Sequence, residues 1–131
     1  MHMREVVGSG RPLPQSDDVP LRSRVRAGAR QRLITPGQTS VMELLAEAPG
    51  RPFEMVLFRL GPNQASADEL RSHGARECVY LLSGRVRIEL GEISEVLRTG
   101  DSIFFASTNP HRFVNLGSRE AVMISCIVGE V

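Results

Sequence analysis

The chain has 131 residues, 41% of them hydrophobic, and a formal net charge of +1. That length fits one domain with a core of its own, and so even a charge balance gives no field that would draw a nucleic acid. No apolar run reaches the roughly 18 residues of a membrane-spanning helix. The start, Met1 to Glu5, lacks the basic-then-apolar pattern of a secretory leader, so a cytoplasmic location is expected.

Residues 1–30 are poor in apolar runs and rich in Pro, Gly, Ser and Arg, as in the stretch Gly8 to Pro14. Such a segment does not repay its ordering entropy and reads as an irregular arm or linker. Seven arginines between Arg4 and Arg32 make it locally basic, but without interleaved aromatics it reads as solvated chain, not as a nucleic-acid tail. All sixteen basic residues of the chain are arginine, a pattern that coding bias in a GC-rich bacterial genome produces.

Residues 31–131 read as short strands separated by turns. Breaks fall at Pro36-Gly37, Pro49 to Pro52, Gly61 to Asn63, Ser83-Gly84, Gly91, Gly100-Asp101, Asn109-Pro110 and Gly117-Ser118. Val41 to Ala48 tolerates helix, yet its eight residues between two turns favour a strand. Phe53 to Leu60, Cys78 to Leu82, Val86 to Leu90, Ile103 to Phe105 and Val122 to Val128 have strand length and strand composition. Arg85 to Leu90 alternates strictly, the period of a half-buried strand. The expectation is an all-β sandwich or barrel. Cys78 and Cys126 each lie in an apolar strand-like run and read as buried, reduced thiols, with a disulfide as the lesser alternative.

Three histidines occur, and His2 falls in the arm. His73 and Glu77 are four apart, with Arg71 two before His73; in an extended segment all three share a face with Val79 and Leu81. His111 comes from another strand, with Phe113 and Asn115 on its face. Two imidazoles and a carboxylate suit a divalent first-row metal and leave positions open for a ligand. The bland reading of the same residues is a set of ordinary surface and core side chains.

The stretch from Arg71 through His73 and Glu77 to Gly84 resembles the first cupin motif: histidine, one residue, histidine, three or four residues, glutamate, six residues, glycine. The stretch from Gly100 to His111 and Asn115 resembles the second. The resemblance implies a small double-stranded β-helix, or jelly-roll barrel. It also implies a divalent metal (iron, manganese, nickel or zinc) on His73, Glu77 and His111. Arg71 replaces the first histidine of the motif, and a guanidinium has no lone pair to give. A metal would therefore be held less tightly than by the full set. Without metal, Glu77 would pair with Arg71. Beside an apolar cavity, Arg71 is suited to clasp a carboxylate-bearing ligand, with Val79, Leu81, Phe113 and Asn115 as further ligand-binding candidates.

The register of the chain, with Arg32 to Gly37, Met42 to Leu45 and Glu54 to Leu60 ahead of the two motifs, is most similar to the C-terminal sensor domain of bacterial helix-turn-helix regulators that carry a cupin. That resemblance implies a small-molecule effector in the barrel and a homodimer formed through sheet edges. Residues 1–30 hold no helix pair to read DNA, so no direct nucleic-acid contact is expected. The chain then reads as a sensor domain cut from a longer regulator, favoured by the Met1-His2-Met3 start, or as a stand-alone relative. The rival class is a metal-dependent oxygenase, isomerase or decarboxylase, and the incomplete ligand set favours sensor over enzyme.

Overall fold

A computed structural model describes residues 23–34, 40–48, 53–66, 75–106 and 108–129. Among the described residues a single 3₁₀ turn, Ala27–Ala29, precedes nine strands. They are β1 (Arg32–Ile34), β2 (Ser40–Glu47), β3 (Phe53–Leu60), β4 (Arg76–Ser83), β5 (Arg85–Leu90), β6 (Ile93–Arg98), β7 (Ser102–Ala106), β8 (His111–Asn115) and β9 (Ala121–Val128). The segment that tolerated helix, Val41 to Ala48, lies almost wholly in β2; it pairs along β3 with one bulge between Leu44 and Ala46. Most of the expected arm lies outside the described residues. Its last part is tied to the sheet, where Ser23 Oγ donates to the Glu47 carbonyl at 2.6 Å and Arg30 pairs with Glu43 at 3.7 Å.

Two antiparallel sheets face each other, one of six strands in the order β1-β2-β3-β9-β4-β7 and one of three in the order β6-β5-β8. This is the expected jelly roll. Alternation dictates what lies between them: β4 buries every second residue, and so does β9. From the larger sheet Leu60, Val79, Leu81 and Met123 meet Val86 and Ile88 of the smaller one, and all six are at most 2% exposed. A second, smaller cluster of Val56, Ala75 and Ile127, with Met42 and Leu44 against it, lies at the other end of the same inner face.

The turn between β4 and β5 shows why glycine stands at position 84. Its φ is +112°, and a Cβ there would sit 3.0 Å from the Cβ of Ala121. The tight reversal brings β5 under β4 and starts the second sheet.

Cys78 and Cys126 correct the reading of them as buried thiols. Both are free, but Cys78 is exposed and Cys126 only partly covered. The reason is parity. Glu77, Val79 and Leu81 take the inner face of β4, so the even-numbered residues face outward.

Candidate functional site

Glu77 points inward from β4 and is 5% exposed. A buried carboxylate needs partners, and one comes from β9: Ser125 Oγ donates to Glu77 Oε2 at 3.1 Å. Val79 is the direct cross-strand partner of Ser125, so the hydroxyl reaches Glu77 diagonally. Sequence reasoning did not single out Ser125. The signal was present, since it is the one polar residue among the inward positions Ala121, Met123, Ser125 and Ile127.

His111 opens β8 from the opposite sheet, and its Nε2 lies 3.7 Å from Glu77 Oε1. Its Nδ1 is 2.9 Å from the carbonyl of Asn109. A carbonyl only accepts, so Nδ1 carries the proton and, in the neutral ring, the Nε2 lone pair faces Glu77. The Phe105 ring, 5.0 Å from the imidazole centre, and Phe113, 6.4 Å away and edge-on, hold the ring in place. A lone pair and a carboxylate oxygen have no proton to share, and 3.7 Å is beyond hydrogen-bond distance in any case. They do match two ligands placed about 2.1 Å from one shared cation. Two such ligands are compatible with a divalent ion, and the Asn109 carbonyl orients the imidazole as the hydrogen-bond partner of a metal-bound histidine does.

Of the other candidates, Arg71 and His73 lie outside the described residues. Among the described residues no group of three or more His, Cys, Asp and Glu side chains gathers as a metal cluster. Val79, Leu81 and Phe113 lie in the core beneath Glu77 and His111. The Asn115 amide is committed to the backbone. Its Nδ2 donates toward the carbonyls of Leu60, Gly61 and Arg119 at 2.8–3.0 Å, and its Oδ1 accepts from the Gly117 N–H at 2.8 Å. Asn115 ties β8 to the turns after β3 and before β9.

Beside this site lies a pocket of about 420 Å³ on the inner face of β1, β2, β3 and β9. Met42, Leu44, Val56 and Ile127 give it an apolar lining, with Arg32 and Glu54 also on its wall. It adjoins the site through the sheet register, because Ile127 pairs with Glu77 and Val56 with Ser125. Sequence reasoning placed the ligand-facing guanidinium at Arg71; the described residues place another, Arg32, on the pocket wall.

A cupin domain model matches residues 56–127, which is more than half of the chain and includes both Glu77 and His111. The chain belongs to the cupin domain family. Among solved structures, this cupin is similar to the Cupin_2 domain of an XRE family transcriptional regulator from Enterobacter cloacae, at 23% identity and a TM-score of 0.67, over 72% of this chain and 100% of that one. It is also similar to an HTH_3 family transcriptional regulator from Vibrio cholerae, at 19% identity and a TM-score of 0.68, over 76% of this chain and 56% of that one. A third likeness is to hydroxypropylphosphonic acid epoxidase from S. wedmorenis, at 19% identity and a TM-score of 0.68, over 80% of this chain and 58% of that one. The cupin thus spans a little over half the length of the last two proteins. At these identities the likeness is one of fold. No curated protein matches the chain. No helix among the described residues is long and apolar enough to cross a membrane.

Proposed function

We propose that this cupin is a small-molecule-binding domain, the effector-sensing part of a bacterial transcriptional regulator. The observation that carries the reading is the largely apolar pocket of about 420 Å³ with Arg32 on its wall, two of whose residues, Ile127 and Val56, are the cross-strand partners of Glu77 and Ser125. Apolar lining with a few polar groups is the usual make-up of a small-molecule site, and a guanidinium selects a carboxylate-bearing effector. The likeness to the cupin domain of one transcriptional regulator and to part of a second regulator supports the sensing role. DNA contact then belongs to another part of the regulator, in the cytoplasm, and the domain works as a homodimer. Edge strand β1 offers a surface for that pairing, since Leu33 and Ile34 are both at least half exposed.

His73, Glu77 and His111 are the residues that would hold a divalent ion (iron, manganese, nickel or zinc). When bound, the ion supplies a Lewis acid that an anionic effector can approach. The chain's own part is to orient the ligands: Ser125 fixes the Glu77 carboxylate, and the Asn109 carbonyl fixes the His111 tautomer. Val79, Leu81 and Phe113 shape the apolar floor beneath.

A thermal-shift screen of small carboxylates tests the reading, because a ligand that binds only the folded state raises the melting point by mass action. Arg71→Ala and Arg32→Ala proteins should lose the response to a carboxylate hit. A full response from both variants would remove the clasp. The rival reading, a stand-alone metal-dependent enzyme, draws on the likeness to the epoxidase and its Fe(II) form. Near-stoichiometric metal in the purified protein, abolished by His111→Ala, together with turnover of a screened substrate, would favour the enzyme.

A further inference from the structure

The outer face of the larger sheet carries chemistry that the inner site does not use. Cys78 on β4 and Cys126 on β9 are direct cross-strand partners, Cys78 exposed and Cys126 partly so. Their place in the ladder follows from the flanking hydrogen bonds. The Leu81 N–H and carbonyl both point toward β7, donating to Asp101 and accepting from Gly100. Odd-numbered β4 residues therefore bond to β7 and even-numbered ones to β9. Cys78 and Cys126 form a hydrogen-bonded pair, with Cα atoms about 5.5 Å apart. That lies within the Cα range of disulfides, about 4.4–6.8 Å.

We propose that Cys78 and Cys126 form a reversible dithiol–disulfide couple on the outer face of the sheet, oxidised by small-molecule disulfides. Two features set its character. The Cβ atoms of such a pair stand about 5.5 Å apart, whereas a relaxed disulfide brings them to about 3.8 Å. Closing the bond draws β4 and β9 together, and a strained, exposed disulfide is readily reduced again. It is a labile bond, not a structural staple.

The order of attack follows from exposure and acidity. Partial burial, and then the neighbouring Cys78, push the Cys126 thiol above its usual range, which makes it a poor first nucleophile. Cys78 is the exposed partner, and Arg76 sits two residues before it on the same face, a cation for an anionic disulfide such as oxidised glutathione. The Cys78 thiolate attacks one sulfur of that disulfide, forming a mixed disulfide and releasing one glutathione thiolate. Cys126 then gives its proton to water and attacks the Cys78 sulfur, forming the protein disulfide and releasing the second glutathione. From dithiol to disulfide the protein loses two electrons and two protons, and the small disulfide gains them as two thiols.

The test uses the folded full chain in graded mixtures of oxidised and reduced glutathione, read by intact mass and free-thiol titration. Wild type should go from two free thiols to none with loss of two hydrogens, and dithiothreitol should restore both. Peptide mapping should join Cys78 to Cys126. Cys126→Ser should stop with one glutathione on Cys78, and Cys78→Ser should react far more slowly. Two thiols that stay free, two stable glutathione adducts, or a disulfide-linked pair of chains as the main product would each overturn the proposal. Both serine variants change surface positions, and circular dichroism confirms that each is folded before it is read.

Discussion

Asn115 is a single residue with an unusual number of obligations. One amide nitrogen serves three carbonyls and one amide oxygen serves an N–H, two of them at the end of β3 and two on the turn between β8 and β9. Truncation to alanine strands those groups and should cost about 2–3 kcal/mol in urea denaturation. Asn115→Asp is closer in shape and should be worse than alanine, because a carboxylate oxygen would then face the three carbonyls. A clearly smaller loss in Asn115→Asp than in Asn115→Ala would mean that volume, not hydrogen bonding, decides. Ser125 is a smaller test of the same kind. Ser125→Ala keeps the strand but removes the donor to Glu77, so divalent metal binding should weaken about 10-fold and the melting point should fall as the buried carboxylate loses a partner. Metal titration of the two proteins checks this.

At the scale of elements, the turn at Gly84 and the outer face of β5 and β8 make separate claims. Gly84→Ala meets both a positive φ and the Ala121 contact, and should destabilise by about 1–3 kcal/mol. Glu89 on β5 accepts from Arg112 of β8 at 2.6 Å and from Arg87 at 3.0 Å. The Arg112 guanidinium beside it, more than Arg87, holds the Glu89 carboxyl below its usual range. A lowered folded value means the contribution is present above the unfolded carboxylate range and is lost as pH falls through the folded value. The melting-point gap between wild type and Glu89→Gln should thus exist at neutral pH and vanish in acid. Added salt should shrink it as well, because the group is at the surface.

How much of this was legible in the sequence differs by element. The Ser83-Gly84 reversal and the strict alternation of β5 were local signals, and the structure follows both. The eight-residue β2 was correctly a strand because the turns at either side left no room for a useful helix. Glu77 and His111 were found by spacing, and the structure brings them to 3.7 Å. What spacing does not carry is register between strands far apart in the chain. A lone serine in an apolar strand has no local mark of its duty to a carboxylate. Two cysteines in separate runs likewise give no hint that they face each other across β4 and β9. Arg32 was read as the end of a basic stretch and as part of a family-like segment but not as a pocket residue, since the wall it joins is built from four strands.

For the whole molecule, the sheet order matters more than any one contact. β9 is the last strand in the chain yet sits between β3 and β4 in the larger sheet. Its pairings reach back to Phe53 on one side and to Arg76 on the other. On a ribosome, β2 and β3 can pair early, but β4 must wait with one edge open until β9 has emerged. Until then Glu77 lacks Ser125, and the pocket lacks Ile127. Folding dominated by such distant pairings is slow and exposes strand edges while it waits. A chain that ends before residue 121 should therefore not yield a weaker barrel but an aggregating one. For this protein, completeness at the final strand is the condition under which any binding site exists at all.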